Sequence, residues 1–114
     1  MSISVFVLLS AFEDVPRELP PFTLVNAPGS TDEARLEDLF RLLNHVNPGD
    51  AARMPTGGKH RSLSCGDIIT FVEHDDKRIW LCAPMGWHQV NMEFLVEYEK
   101  LSTLDRMRRV RAIV

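Results

Sequence analysis

A chain of 114 residues is long enough to bury one hydrophobic core without a disulfide or metal staple, so a single domain over residues 1–114 is expected. With 45% hydrophobic and 25% charged residues, its composition is that of an ordinary globular protein and excludes a disordered chain or a membrane bundle. The net charge of -3 argues against a protein dominated by phosphate contacts, and two cysteines make no disulfide framework, as expected of a cytoplasmic chain.

The first predicted element is Ile3-Ser4-Val5-Phe6-Val7-Leu8-Leu9, whose β-branched and large apolar residues read as a strand buried on both faces. This run is far too short to span a bilayer, and no basic segment precedes it as a secretory signal requires. From Glu13 to Gly29 the prolines Pro16, Pro20, Pro21 and Pro28 exclude regular helix and leave a connection with one short edge strand at Phe22 to Val25. Ser30-Thr31-Asp32-Glu33 carries a capping-box pattern, a hydroxyl three residues ahead of a carboxylate. A helix follows, with Leu36, Leu39, Phe40, Leu43 and Val46 on one stripe, and Pro48-Gly49 ends it.

Residues 50 to 60 read as an exposed connection. Thr56-Gly57-Gly58-Lys59 lacks the first glycine of a phosphate loop and has no Ser or Thr directly after the lysine. A hairpin comes next, with strands near 67 to 73 and 78 to 83 around His74-Asp75-Asp76-Lys77. Pro84 ends its second strand, and Met85-Gly86 makes a corner before Trp87. Asn91 can cap a helix carrying Phe94, Leu95, Tyr98 and Leu101, although Phe94, Val96 and Tyr98 also alternate as in a strand. Ser102 or Thr103 then caps a last helical segment through Arg106 and Val110.

Chemistry-bearing residues gather at the two ends of the hairpin. A turn centred between Asp75 and Asp76 pairs Ile69 with Cys82, Cys65 with Gly86 and Leu63 with His88. The two cysteines are then about four positions out of register, roughly 13 Å, which is too far for a disulfide or a shared metal. Cys65, His88 and His60 come near one hairpin end, where a thiol beside an imidazole is the minimum for nucleophilic catalysis. Two histidines and a cysteine would still lack the fourth ligand of a zinc site, and a small cysteine at the start of a strand is most often a buried structural one. Ser62, Ser64 and Asp67 read as turn residues bonding nearby backbone amides, with Gly66 in a conformation other residues avoid. Trp80 is expected to pack one face of the sheet, and Trp87 to lie at the core's rim as a lid or a partner contact.

The acidic amphipathic helix, the Pro/Gly break, Arg61-Ser62-Leu63-Ser64-Cys65-Gly66-Asp67-Ile68-Ile69 and the later Gly86-Trp87-His88-Gln89-Val90 resemble the YodL-like domains over residues 36 to 90. Those small domains occur in bacterial, phage and conjugative-element proteins. Cys65 stands where that family more often has an aliphatic residue, and no catalytic residues are established in it. The resemblance therefore implies a fold and a mobile-element context without a mechanism. A slighter likeness, limited to Gly66-Asp67-Ile68-Ile69-Thr70-Phe71, is to the PUA and ASCH-type barrels, which implies RNA as a ligand.

The expected architecture is α+β, a short and mostly antiparallel sheet with a central hairpin, covered by two or three helices. The expected role is non-catalytic binding of another macromolecule, with a protein as the partner, no membrane and no cofactor or metal. His60, Arg61, Trp87 and His88 are the candidate surface, and Arg106, Arg108, Arg109 and Arg111 a secondary basic patch. The alternatives are a nucleic-acid-binding domain using Lys59, Arg61, Trp87 and the arginine tail, and a thiol enzyme with Cys65 and His88 as nucleophile and base.

Overall fold

In the computed structural model, which describes residues 2–25, 30–44 and 63–113, Ser2–Leu9 forms strand β1. Its odd residues Ile3, Val5, Val7 and Leu9 are fully buried, whereas Phe6 and Leu8 on the other face are half-covered. Two short strands pair antiparallel with one edge of β1. These are β2 (Arg17–Glu18), with Glu18 opposite Leu8, and the expected β3 (Phe22–Val25), with Phe22 opposite Val5. The register shifts by one residue between them, a bulge at Leu19-Pro20-Pro21 where the prolines have no N–H to give a ladder.

Helix α1 (Asp32–Leu43) buries Leu36, Leu39 and Leu43, as the spacing of its apolar residues predicts. Its N-cap is Thr31, whose hydroxyl accepts from the Ala34 N–H, and not Ser30 as the capping-box pattern suggested. The cap moves by one residue because Asp32 is drawn into contacts with the sheet. Val46 and the Pro48-Gly49 stop lie outside the described residues, as does the connection from 50 to 60.

Strands β4 (Ile68–Glu73), β5 (Asp76–Ala83) and β6 (Gly86–Val90) form an antiparallel meander. The sheet order is β2-β1-β4-β5-β6, with β3 beside β2 on the same edge of β1. The first hairpin turn holds only His74 and Asp75, with His74 at a φ of 56° and Glu73 opposite Asp76. That two-residue turn moves the pairing by two positions from the expected one, so Ile69 faces Trp80. Gly86 opens β6 at a φ of 124°, and β6 was not set apart as a strand in the sequence, where Met85-Gly86 read as a corner before Trp87.

Helices α2 (Met92–Lys100) and α3 (Thr103–Arg111) follow, capped by the side chains of Asn91 and Ser102 as expected. Helix and not strand forms at 92–98 because Asn91 satisfies the Phe94 N–H while Tyr98 reaches the core. The result is three layers. On one face of the sheet α1 packs over Ile3, Val5, Val7, Ile69 and Phe71; on the other, α2 and α3 pack over Ile68, Ile79 and Leu81. The α+β architecture with a mostly antiparallel sheet is thus as the sequence predicts. Among the described residues no helix is long and apolar enough to cross a membrane.

Candidate functional site

Two ends of the sheet differ in chemistry. At the end bearing Gly66, the turn Ser64–Asp67 meets the segment that leaves β1. Gly66 adopts a φ of 105°, and a Cβ there would lie 3.1 Å from the Ala11 Cα and 3.2 Å from the Tyr98 hydroxyl. The buried Asp67 carboxylate accepts from the Ser10, Ala11 and Ser64 amides at 2.8, 2.9 and 2.9 Å. The Gly66 carbonyl accepts from the Ser10 hydroxyl and, at 2.6 Å, from the Tyr98 hydroxyl. Burial pushes the Tyr98 hydroxyl up to about 12, against the lowering effects of Ser10 and Arg106. These contacts bear out Ser64, Gly66 and Asp67 as turn chemistry; Ser62 lies outside the described residues.

Arg106 completes this knot from α3. It is 0% exposed, and its guanidinium donates to the carbonyls of Ser10 (3.1 Å), Leu101 (2.5 Å) and Glu13. A planar fork of five donors suits such a cluster of carbonyls, which a lysine could not bridge. Arg106 therefore does not belong to a surface patch. Of the other tail arginines, Arg109 pairs with Glu97 and lies 5.8 Å from the Phe94 ring centroid, and Arg108 pairs with Asp105. Arg111 is exposed.

The cysteines are also placed differently from the register estimate. The Cys82 amide donates to the Asp67 carbonyl and the Cys82 carbonyl accepts from the Gly66 amide, which sets Cys65, the residue before Gly66, beside Cys82. The two-residue turn and the bend at Gly66 together bring them side by side. Burial first, then the Cys65 neighbour and the Asp67 charge, push the Cys82 thiol up to about 12. Such a thiol stays protonated and is a poor nucleophile at neutral pH.

Of the candidate surface, His60 and Arg61 lie outside the described residues. Trp87 and His88 are brought to opposite faces of β6, because consecutive strand residues alternate. Trp87 is half-buried and meets Phe40 of α1 edge-on with centroids 6.4 Å apart, which makes it a core lid. His88 is exposed and stands opposite Leu81 on the other face. Trp87 and His88 thus do not share one surface. Among the described residues no group of three or more His, Cys, Asp or Glu side chains is placed to hold a metal.

At the opposite end, Asp32 fastens α1 to the hairpin. Its carboxylate accepts from Arg78 Nε at 2.7 Å and Nη2 at 3.1 Å, from Trp80 Nε1 at 2.9 Å and from Arg35 Nη1 at 2.8 Å. Burial by itself raises the Asp32 carboxyl, but hydrogen bonds from Arg78 and Trp80 and the charges of Arg78 and Arg35 outweigh it and hold it below its ordinary value. The same pairing raises Arg78 further. This cluster anchors the helix; Trp80 packs the sheet as the sequence predicts while its N–H finds a partner.

A cleft of about 480 Å³ opens on the face covered by α2 and α3. Its floor is Phe6, Leu8, Ile68, Thr70 and Val72 from β1 and β4, and its wall is Met92 and Leu95 of α2. Glu18, Lys77 and Glu99 complete the lining. Among the described residues, the two nine-residue helices pack over Ile68, Ile79 and Leu81 and leave the β1 side of that face open. Sequence reading did not find this cleft. Its one available sign was that β1 is apolar on both faces, which asks for cover on both.

Comparison of the chain with family models, with curated proteins and with solved structures gives no match in any of the three.

Proposed function

We propose that this domain is a non-catalytic binding module that docks a protein partner in the cleft between β1 and α2. The observation that carries the reading is the apolar floor of Phe6, Leu8 and Val72, half-covered on a strand whose sequence is that of a fully buried one. Leaving such a surface to water forfeits about 25 cal/mol per Å², a gain that a partner can recover. Met92 is 48% exposed at the cleft wall although it is a large apolar residue, which agrees with an interaction surface.

The YodL-like pattern over residues 36 to 90 adds a setting to this reading: an accessory domain of the bacterial cytoplasm, encoded on mobile genetic elements. Its genomic neighbours test that setting, since plasmid, phage or conjugation genes are expected beside it. The binding role is tested by capturing partners with the wild-type domain, Met92→Arg and Leu104→Arg, and then titrating each purified candidate. A partner bound by the wild type and by Leu104→Arg but lost with Met92→Arg supports docking in the cleft. Partners that bind all three proteins equally would contradict it.

A further inference from the structure

Resting on that reading of the cleft, we infer that its occupant is a short amphipathic helix of the partner, lying beside α2 and running antiparallel to it. The fit begins with length. The floor runs from Leu8 and Ile68 at the Gly66 end to Val72 at the His74 end, four residues along β4, or about 13 Å. A helix covers that distance in about nine residues, which is also the length of α2. Apolar side chains at i, i+3 or i+4 and i+7 would then sit over β1 and β4, adding a third helix to the two that the described residues place on this face.

Direction comes from charge. Glu18 stands opposite Leu8 at the Gly66 end of the floor. Glu99 lies at that same end, since it follows Tyr98, whose hydroxyl bonds the Gly66 carbonyl. Lys77 stands opposite Val72 at the other end. The cleft is therefore acidic at one end and basic at the other. A helix is positive at its N-terminus and negative at its C-terminus, so it is favoured with its N-terminus near Glu18 and Glu99 and its C-terminus near Lys77. Helix α2 starts just after Val90, which pairs with Ile79, and climbs toward Gly66, so the favoured occupant runs the opposite way. Basic residues in its first turn and acidic ones in its last would match the same polarity.

The test is selection of displayed random peptides of about fifteen residues, long enough to populate isolated helix, on the intact domain. Enriched peptides are expected to share a helical apolar stripe, lysine or arginine toward the N-terminus and aspartate or glutamate toward the C-terminus. Their affinity should fall more than tenfold with Met92→Arg, and about tenfold with Glu18→Lys combined with Glu99→Lys, both at exposed positions that leave the fold intact. Cleft-dependent peptides with alternating apolar residues, or with the reverse charge order, would overturn the helix while leaving protein docking in place. Peptides insensitive to Met92→Arg would overturn the docking site itself, as would a cleft that takes only small apolar molecules.

Discussion

Replacing Arg106 with methionine keeps an unbranched side chain of similar reach and removes the charge and all five donors. The Ser10 carbonyl is buried and would be left without its donor, whereas the Leu101 and Glu13 carbonyls are partly exposed and can recruit water. An unsatisfied buried acceptor costs roughly 1–3 kcal/mol, and each replaceable bond about 0.5–1.5, partly offset by no longer burying a cation. The net loss is then about 3 kcal/mol. Unfolding a chain of 114 residues has an entropy of about 0.24 kcal/mol/K near 60 °C, so the midpoint should fall by about 12 °C. Arg106→Lys should fall between wild type and Arg106→Met, because one ammonium cannot span three carbonyls. Thermal unfolding followed by circular dichroism reads these shifts, with Arg108→Met as the exposed control. A drop below about 4 °C for Arg106→Met, or one equal to that of Arg108→Met, would refute the buried role of Arg106.

Gly66→Ala and Gly86→Ala form a matched pair, since both glycines have positive φ but only Gly66 is crowded. Backbone strain alone should destabilise Gly86→Ala by about 1–2 kcal/mol, and crowding against Ala11 and Tyr98 should bring Gly66→Ala to about 3 or more, as measured by urea unfolding. Asp32 has a lowered folded-state pKa, so its contribution is complete above the ordinary carboxylate value near 4 and is lost as pH falls through the lower folded value. Asp32→Asn should be less stable at neutral pH and show a shallower loss of stability below pH 4. Tyr98 has a raised pKa of about 12, so its contribution is present below pH 10 and disappears between about pH 10 and 12. In a Cys82→Ala background, Tyr98→Phe should flatten that alkaline decline; an unchanged slope would contradict the assignment.

Local signals in this sequence carried far. Asn91 and Ser102 cap the helices the spacing predicts, Gly66 and Asp67 make the bend, and β1, β3 and the hairpin lie where apolar runs and prolines put them. What failed depended on one geometric quantity, the length of the turn at His74. A two-residue turn changes every facing pair, and with the bend at Gly66 it puts Cys65 beside Cys82. Strand β6 escaped notice because Gly86-Trp87-His88-Gln89-Val90 is short and only weakly alternating on an edge.

The candidate site was less legible still. Arg106 is indistinguishable in composition from Arg108 and Arg109, and only its place on the inner side of α3 buries it. Trp87 and His88 are neighbours in sequence, yet the strand that holds them sends them to opposite faces. The cleft arises from something no motif encodes: a sheet wider than the two helices packed on it. Its floor could be read only as an excess, the apolar Phe6 and Leu8 on a face that the chain's described helices do not fully cover.

The most direct test of docking in that cleft is an amide chemical-shift titration of the isotopically labelled domain with a selected peptide. The account predicts shifts along β1 and β4 and at Lys77, Met92, Leu95 and Glu99, all lost in Met92→Arg. Shifts confined to Arg108, Arg109 and Arg111, or to Phe12, Met85 and Leu104, with the cleft unmoved, would contradict it.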